Sequence, residues 1–300
     1  MRHYPSKLLL FGEHILLLGA RALAVPVPKF WGRWAETTPG TPADLAGALA
    51  AFANSPTLGA IGILDIPRFK ADISRGLYFQ SSIPQGYGLG SSGALCAAIY
   101  DRYALHKTSD LSELKGIFSA MESFFHGKSS GIDPLTSYLN RPLWIDRVTE
   151  VRIFEAADWE QDEPVVFLLD TKLPRQTGPL VAWFLAEQKK QSFSRKLETV
   201  LLPAHQAMLE AWQFRSAADF WTALQQVSAF QLDYLPPMIP ENLRAVWKNC
   251  LSGTDITLKI CGAGGGGFML GFTKNKDLAL EQLKPFPLIF PFETYGVAEG

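Results

Sequence analysis

The stretch that decides the fold reads Ile83-Pro84-Gln85-Gly86-Tyr87-Gly88-Leu89-Gly90-Ser91-Ser92-Gly93-Ala94. A run of small and apolar residues, 94–104, follows and predicts a helix that packs closely against its neighbours. Glycine allows the backbone to turn with positive φ and to approach a ligand closely. The first turn of a helix offers unpaired N–H groups and the positive end of the helix dipole. The stretch therefore predicts a binding site for phosphate or another anion.

Two common phosphate motifs do not fit this stretch. Gly88-x-Gly90-x-x-Gly93 has the glycine spacing of a dinucleotide fingerprint, but residues 77–83 alternate as in an antiparallel strand. No acidic residue stands at an obvious strand end about 20 residues further on. The Lys followed by Ser or Thr that ends a P-loop is also absent. An ordinary glycine turn capped by Ser91 or Ser92 stays open at this point.

The composition is typical of a globular protein, with 47% hydrophobic and 19% charged residues and a formal net charge of -1 over 300 residues. This length predicts two domains or one large one. Because there is neither a basic patch nor a long apolar segment, we expect no nucleic-acid or membrane partner. The N-terminal residues lack a signal-peptide pattern, and the three cysteines lack metal-ligand spacing. We therefore expect buried free thiols in a cytoplasmic protein.

Apolar patterns predict strands and helices along the whole chain. The predicted strands are 7–11, 22–27, 30–34, 77–83, 142–145, 148–154, 165–169, 257–260 and 268–272, with 69–74 and 77–83 forming a hairpin around Arg75-Gly76. The predicted helices are 42–52, 94–104, 111–125, 179–190, 204–212, 217–230 and 240–251. The acidic loop 155–163 is the best candidate boundary, which predicts domains of residues 1–160 and 161–300.

Two carboxylates and one run of glycines stand at positions that suggest a role in binding or catalysis. Glu122 lies near the C-terminus of a predicted helix, where the helix dipole favours a nearby cation for any carboxylate. A solvated Glu in a frayed last turn is the alternative. Asp133 precedes Pro134, a pair typical of a helix N-cap, and a cap would also hold a catalytic carboxylate in place. The four glycines 264–267 indicate close approach by a second backbone segment or a ligand.

Three motifs together resemble those of the GHMP kinases, the small-molecule kinases named for galactose, homoserine, mevalonate and phosphomevalonate. They are Lys7-x-x-Leu10-x-Gly12-Glu13-His14, Pro84-x-Gly86-x-Gly88-Leu89-Gly90-Ser91-Ser92 and Gly262-Ala263-Gly264-Gly265-Gly266-Gly267. The motifs stand in the family's order and span nearly the whole chain. The resemblance implies an α+β fold of two domains, with the active site between them. The N-terminal domain would be like the second domain of ribosomal protein S5, and the C-terminal domain would be ferredoxin-like.

Two further stretches are similar to the mevalonate kinases of this family. They are Glu122-x-x-x-His126-Gly127-x-x-Ser130-Gly131-Ile132-Asp133 and Asp170-Thr171-Lys172-Leu173-Pro174-Arg175-x-Thr177. The similarity implies ATP-dependent phosphorylation of the 5-hydroxyl of mevalonate to 5-phosphomevalonate, a step of isoprenoid biosynthesis. Another GHMP kinase, acting on phosphomevalonate or a sugar, and a non-catalytic ligand-binding member stay open. Ser129 in place of Pro, Gly93 in place of Ala and Leu95 in place of Tyr depart from the family pattern.

The resemblance also implies a role for each motif residue. The ATP phosphates would be bound by Pro84, Gly86, Gly88, Leu89, Gly90, Ser91 and Ser92, with Gly264 and Gly265. Mg²⁺, which prefers oxygen ligands, would be held by Ser92 and Glu122. Asp133 would orient the substrate hydroxyl and accept its proton, and Lys7 would neutralise charge there. Glu13, His14 and Thr177 would contact mevalonate, and self-association as a homodimer stays open.

Overall fold

The computed structural model describes residues 2–38, 44–147, 150–155, 158–159, 163–174 and 177–293. An antiparallel sheet supports the first half of the chain. Its strands are β1 (Tyr4–Phe11), β2 (Ala22–Glu36), β3 (Leu77–Ser81), β4 (Leu143–Arg147) and β5 (Glu150–Ile153). The long strand β2 pairs with β1, with β4 near its start and with β3 near its end, while β5 pairs with β4.

Strand β2 joins two strands that the sequence predicted separately. Pro5 pairs with Trp31 and the next residue, Ser6, pairs with Val27, so residues 28–30 form an irregular bulge opposite β1. Proline lacks the N–H that a regular ladder requires, which explains why Pro28 lies in the bulge. The strands predicted at 22–27 and 30–34 are therefore parts of one strand with a bulge between them.

Helices cover the sheet in the first half of the chain. They are α1 (Asp44–Ala53), α2 (Pro56–Ile61), α3 (Ile66–Ser74), α4 (Ser91–Tyr103), α5 (Leu111–His126) and α6 (Ile132–Leu139). Helix α4 begins directly after the glycine loop, as expected, and packs against β1, β2 and α6. The first two residues of the predicted helix 42–52 and of the predicted strand 148–154 lie outside the described residues.

The hairpin predicted for residues 69–74 and 77–83 is wrong, because 69–74 belong to helix α3. The Asp65 side chain caps this helix by accepting a hydrogen bond from the Arg68 N–H at 3.0 Å. Pro67 stands in its first turn, where a missing N–H costs nothing. Both of these helix-start signals precede Phe69, so residues 69–74 taken alone carry the pattern of a strand.

A second antiparallel sheet supports the other half of the chain. Its strands are β6 (Val165–Asp170), β7 (Ile256–Lys259), β8 (Phe268–Thr273) and β9 (Leu288–Ile289), in the order β7-β8-β6-β9. Between β6 and β7 come α7 (Thr177–Gln188), α8 (Gln191–Lys196), α9 (Leu202–Phe214), α10 (Ala217–Tyr234) and α11 (Glu241–Ser252), and α12 (Lys276–Gln282) stands between β8 and β9. This elaborated β-α-β-β-α-β succession is that of a ferredoxin-like domain, as the resemblance implied.

Several details differ from the sequence predictions in the second half. A π-helical turn, Leu197–Leu201, joins α8 to α9, so the predicted helix 204–212 is only part of a longer helical segment. The first sheet ends at Ile153 and the second begins at Val165, and the domain boundary at 160/161 stays a prediction.

The three cysteines are buried and form no disulfide. Among the described residues, no helix is both long and apolar enough to cross a bilayer.

Buried polar contacts join the two halves around one continuous hydrophobic core. Lys259, at the end of β7, is fully buried and donates hydrogen bonds to the Glu13 carboxylate and to the carbonyls of Leu10 at 3.1 Å and Ile260 at 3.2 Å. A buried charge is costly unless it is paired, and these three partners satisfy the ammonium group. Lys259 therefore fixes the segment that follows β1 to the C-terminal half.

A second buried contact is made by His205 of α9. Its Nε2 lies 2.8 Å from the carbonyl oxygen of Arg21, just before β2. A carbonyl can only accept a hydrogen bond, so Nε2 carries a proton and donates it. Burial lowers the pKa of His205 from 6.5 to about 4, although the bond to Arg21 opposes this shift. The folded protein therefore keeps a neutral imidazole at this position.

We expect His205 to make the protein lose stability in acid. The unfolded chain binds a proton near pH 6.5 whereas the folded protein binds it near pH 4, so the free energy of unfolding falls as the pH falls between these values. The loss should reach about 3 kcal/mol. Urea unfolding from about pH 7 to about pH 4 measures it. His205→Gln keeps a donor for Arg21 and does not titrate, so an identical pH dependence in this variant would contradict the prediction.

Candidate active site

The glycine loop leads from β3 into α4 and lines a cleft of about 850 Å³. Gly86, Gly88 and Gly90 adopt φ angles of 78°, 73° and 73°, a region that favours glycine. Gly90 is the N-cap of α4, and no side chain caps this helix end. The alternative of a turn capped by Ser91 or Ser92 is therefore wrong. The uncapped N–H groups at this end of α4 are compatible with an anion site, which stays a prediction.

The cleft has both an apolar and a polar part. Its apolar lining includes Ala48, Leu49, Phe79, Ile83, Pro84, Leu89, Leu95 and Phe125, and its polar lining includes Gln80, Ser81, Ser91, Ser92, Asp133 and Thr177. Strand β1 holds the glycine loop from one side, because the Lys7 N–H donates to the Leu89 carbonyl at 2.8 Å. The end of the cleft that contains Asp133 is thus tied directly to the first sheet.

Lys7 and Asp133 form an ion pair beside the glycine loop. Lys7 Nζ of β1 lies 2.6 Å from Asp133 Oδ1 of α6. The Lys7 side chain is only 10% exposed, whereas that of Asp133 is 27% exposed and reaches the cleft. A neighbouring ammonium group stabilises the charged form of a carboxylate. The ion pair therefore holds the Asp133 carboxylate at the edge of the cleft, where a ligand can reach it.

Asp133 is not the N-cap of its helix, so this part of the sequence prediction is wrong. Helix α6 begins at Ile132, and the cap is Gly131 with φ 75°. Asp133 stands in the first turn, where the helix dipole favours a negative charge. Pro134 also fits in the first turn, because its missing N–H would have no partner within the helix. The Asp133 side chain is consequently available to Lys7.

Gly93 allows helices α4 and α6 to come into backbone contact. A Cβ atom at Gly93 would lie 2.8 Å from both the Asp133 carbonyl carbon and the Pro134 nitrogen. One at Gly90 would lie 3.2 Å from Asp133 Oδ2. The lack of a side chain at Gly93 therefore has a structural consequence, since it lets Asp133 lie against the glycine loop.

Glu122 is buried at the end of α5 and is not a solvated residue in a frayed turn. The Ser92 hydroxyl donates to its Oε1 at 3.0 Å and the Ser129 hydroxyl donates to its Oε2. Burial, and then the negative charge of Asp133, raise the pKa of Glu122 to about 7, although the two serines and Lys7 oppose the shift. An additional cation beside this carboxylate would stabilise its charged form.

The residues around Glu122 fit a magnesium ion that binds together with a phosphate ligand. Ser92 and Glu122 already lie within hydrogen-bonding distance, and both offer oxygen atoms. No group of three or more His, Cys, Asp or Glu residues in the described part of the chain could hold a metal by itself. Mg²⁺ commonly binds one or two carboxylates and takes its other ligands from phosphate and water. The pair could therefore supply the protein's share of such a site.

Glu13 and His14 are not among the residues that line the cleft. The Glu13 carboxylate is bound by Lys259, and burial raises its pKa although Lys259 lowers it. His14 adopts φ 60°, and its Nε2 lies 3.2 Å from the Ala263 carbonyl oxygen. Thr177, at the start of α7, does line the cleft. Substrate contact by Glu13 and His14 stays a prediction.

The four-glycine segment makes the close approaches that the sequence predicted, mainly within its own half of the chain. A Cβ atom at Gly264 would lie 2.5 Å from the Met238 carbonyl oxygen, and one at Gly265 would lie 2.5 Å from Leu180 Cδ1. Gly267 lies against the glycine loop, where a Cβ would be 3.4 Å from Tyr87 Cα. Nucleotide contact by Gly264 and Gly265 stays a prediction.

Sequence reasoning missed two residues that hold this arrangement together. Ser129 accepts a hydrogen bond from the Gly131 N–H at 3.0 Å while donating to Glu122, so it connects the buried carboxylate to the cap of α6. Lys259 binds Glu13, as described above. A lysine between Leu258 and Ile260, in an otherwise apolar strand beside a glycine run, was an available signal for a buried, paired charge.

We expect Gly93→Ala to separate α6 from α4 and to lengthen the Lys7–Asp133 contact. The added methyl group meets backbone atoms, which cannot rotate away, so stability should fall by about 1–3 kcal/mol. Gly116→Ala in α5 is the matched control, because nothing lies within 4 Å of its added Cβ. The control should gain about 0.5–1 kcal/mol. Thermal unfolding compares the two, and a Gly93→Ala protein as stable as wild type would contradict the backbone contact.

Comparisons with known proteins agree with this arrangement. Residues 46–141 match the family model "GHMP kinases N terminal domain". L. major mevalonate kinase in complex with R-mevalonate has 16% sequence identity and a TM-score of 0.65, covering 97% of this chain and 96% of its own. Streptococcus pneumoniae phosphomevalonate kinase has 14% identity and a TM-score of 0.64, covering 96% of this chain and 97% of its own.

Lactococcus lactis galactokinase complexed with galactose is also similar, with 13% identity and a TM-score of 0.65, covering 96% of this chain and 91% of its own. No curated protein sequence matches significantly. The structural matches extend over almost the entire chain, whereas the family model covers the part that contains the glycine loop, Glu122 and Asp133. Residues 46–141 therefore match the N-terminal domain of the GHMP kinases, and the chain as a whole shares its two-domain α+β fold with proteins that include mevalonate kinases.

Proposed function

We propose that this protein is an ATP-dependent kinase that phosphorylates the 5-hydroxyl of mevalonate. The observation that carries the proposal is the 2.6 Å ion pair of Lys7 and Asp133, placed where an acceptor hydroxyl would meet phosphates bound on the glycine loop. The similarity of residues 122–133 and 170–177 to mevalonate kinases supports mevalonate as the acceptor. The fold shared with L. major mevalonate kinase is compatible with it.

The glycine loop and the start of α4 would hold the ATP phosphates. Backbone N–H groups between Gly86 and Ser92 can donate to phosphate oxygens, and the dipole of α4 favours their negative charge. Ser92 and Glu122 would hold Mg²⁺, which when bound neutralises charge on the phosphates. In this scheme the raised pKa of Glu122 reflects a carboxylate placed for a cation. The proposed nucleotide contacts of Gly264 and Gly265 would add to this site.

Asp133 and Lys7 would prepare the acceptor for transfer. Phosphoryl transfer depends mainly on positioning and charge stabilisation, so the side chains have little covalent chemistry to perform. Asp133 would accept a hydrogen bond from the acceptor hydroxyl and take up its proton as the new O–P bond forms and the bond from the γ-phosphorus to the ADP oxygen breaks. Lys7 would hold Asp133 in place through their ion pair and stabilise negative charge on the attacking oxygen.

The substrate would be held between the two halves of the chain. Thr177 faces the cleft and can bind a polar group of the acceptor directly. His14 and Glu13, which Ala263 and Lys259 hold in place, would contribute further polar groups for substrate binding. Apolar residues such as Leu49 and Leu95 line the cleft and would help to exclude water, which competes with the acceptor for the phosphoryl group.

An ADP-release assay with a panel of acceptors tests the proposal. We expect release with mevalonate to exceed release with phosphomevalonate, homoserine and galactose, and to stay near background without an acceptor. Release with galactose or phosphomevalonate alone would assign a different GHMP kinase reaction. ATP binding without turnover of any acceptor would indicate a ligand-binding protein without kinase activity.

Asp133→Asn tests the role of the carboxylate. We expect the turnover number to fall by roughly 10²-fold or more, because the amide cannot accept the hydroxyl proton. The ATP dissociation constant should stay within a few-fold of wild type, since the phosphates would lie on the glycine loop. Asp110→Asn is the matched control, because Asp110 caps α5 away from the cleft and Asn caps a helix about as well. Turnover of Asp133→Asn within a few-fold of wild type would refute the catalytic role.

A further inference from the structure

Tyr87 occupies an unexpected position in the glycine loop. Its neighbours Gly86 and Gly88 line the cleft, but Tyr87 is not part of the lining. Its side chain turns toward the C-terminal half, where its ring centroid lies 4.7 Å from that of Phe268 at the start of β8. The Tyr87 hydroxyl donates a hydrogen bond to Asp170 Oδ1 at 3.3 Å. An aromatic side chain of the first domain thus connects the loop to the second sheet.

The partner of Tyr87 is itself firmly held. Asp170 is 7% exposed and ends β6, and its N–H donates to the Pro287 carbonyl at 2.9 Å. Its Oδ1 also accepts from the Lys172 N–H at 2.9 Å, and its Oδ2 lies 2.8 Å from Lys172 Nζ. A carboxylate oriented by both of its oxygens gives the Tyr87 hydroxyl an acceptor in a fixed place.

The glycine segment of the second half completes this contact. The Thr171 N–H and hydroxyl both donate to the Gly267 carbonyl, at 3.0 Å and 2.7 Å. Gly267 adopts φ 63°, and a Cβ at this position would lie 3.4 Å from Tyr87 Cα. The backbone beside Tyr87 is therefore fixed to the same strand end that carries Asp170.

A loop rich in glycine needs such anchoring if it is to bind phosphate well. Ordering the backbone costs about 1–2 kcal/mol per residue, and glycine has the most freedom to lose. The bond from Lys7 to Leu89 orders the loop from the first sheet. Contacts that order it before a ligand arrives reduce the entropy lost on binding and so increase the affinity.

We propose that Tyr87 is a positioning residue that anchors the glycine loop to the C-terminal domain and holds its N–H groups ready for the phosphates of a nucleotide. The anchor makes nucleotide affinity depend on the contact between the domains, and by linkage a bound nucleotide strengthens that contact. Only the identity of the ligand rests on the proposed function. The anchoring itself is a property of the protein without ligand.

The test compares Tyr87→Phe and Tyr87→Ala with wild type. Amide hydrogen exchange of residues 85–90 is measured without ligand, and the ATP dissociation constant is measured by calorimetry. Tyr87→Phe keeps the ring and loses the hydroxyl, so we expect the dissociation constant to rise about fivefold. Tyr87→Ala also loses the ring contact, so we expect a rise of about 30-fold together with faster exchange.

Tyr234→Ala is the matched control, because this tyrosine also packs on a phenylalanine of the C-terminal half, Phe230 in α10, with 4.9 Å between the ring centroids. It should lower thermal stability and leave both exchange at 85–90 and ATP affinity unchanged. Unchanged exchange in Tyr87→Ala would overturn the anchoring. Faster exchange with an unchanged dissociation constant would overturn its link to nucleotide binding.

The same measurements distinguish a failure of the anchoring from a failure of the proposed function. If wild-type protein does not bind ATP, the proposed function fails. The exchange measurement then still decides the anchoring, because faster exchange in Tyr87→Ala supports it and unchanged exchange overturns it.

Discussion

The ion pair between Lys7 and Asp133 depends on the backbone contact of α4 with α6. Asp133 reaches the glycine loop because Gly93 leaves room for the start of α6, and Lys7 reaches Asp133 because β1 lies against the same loop. One methyl group at Gly93 would meet two backbone atoms. The position of the candidate catalytic carboxylate is therefore set by the absence of a side chain on a neighbouring helix.

The cleft also depends on contacts that cross between the two halves of the chain. Lys259 holds Glu13, His205 holds the carbonyl of Arg21, and Tyr87 reaches Asp170. Each contact joins a polar group to a charged or carbonyl partner that is largely removed from water, where an unmade bond is costly. They attach the glycine loop, the residues after β1 and the start of β2 to the C-terminal half.

Local signals explain which predictions agree with the structure. The glycine loop was recognisable because positive φ angles and an uncapped helix start require a particular residue type at each position. Glu122 was recognisable as a candidate site residue because a carboxylate near a helix C-terminus is unfavourable without a cation. The hairpin predicted at residues 69–74 is wrong because the start signals of helix α3, Asp65 and Pro67, precede that segment. Asp133 is not the N-cap predicted for it, because α6 begins two residues earlier than predicted, with Gly131 as its cap at a positive φ.

The sequence by itself determined the glycine loop before α4 and the two-domain α+β class, since these depend on residue types at fixed spacings. Only the tertiary structure decided that Glu13 is bound by Lys259, that Gly264 and Gly265 pack against Met238 and Leu180, and that Tyr87 faces Asp170. These partners are separated by many residues along the chain. Their contacts follow from how two sheets with their helices pack together, and spacing along the sequence carries no record of that packing.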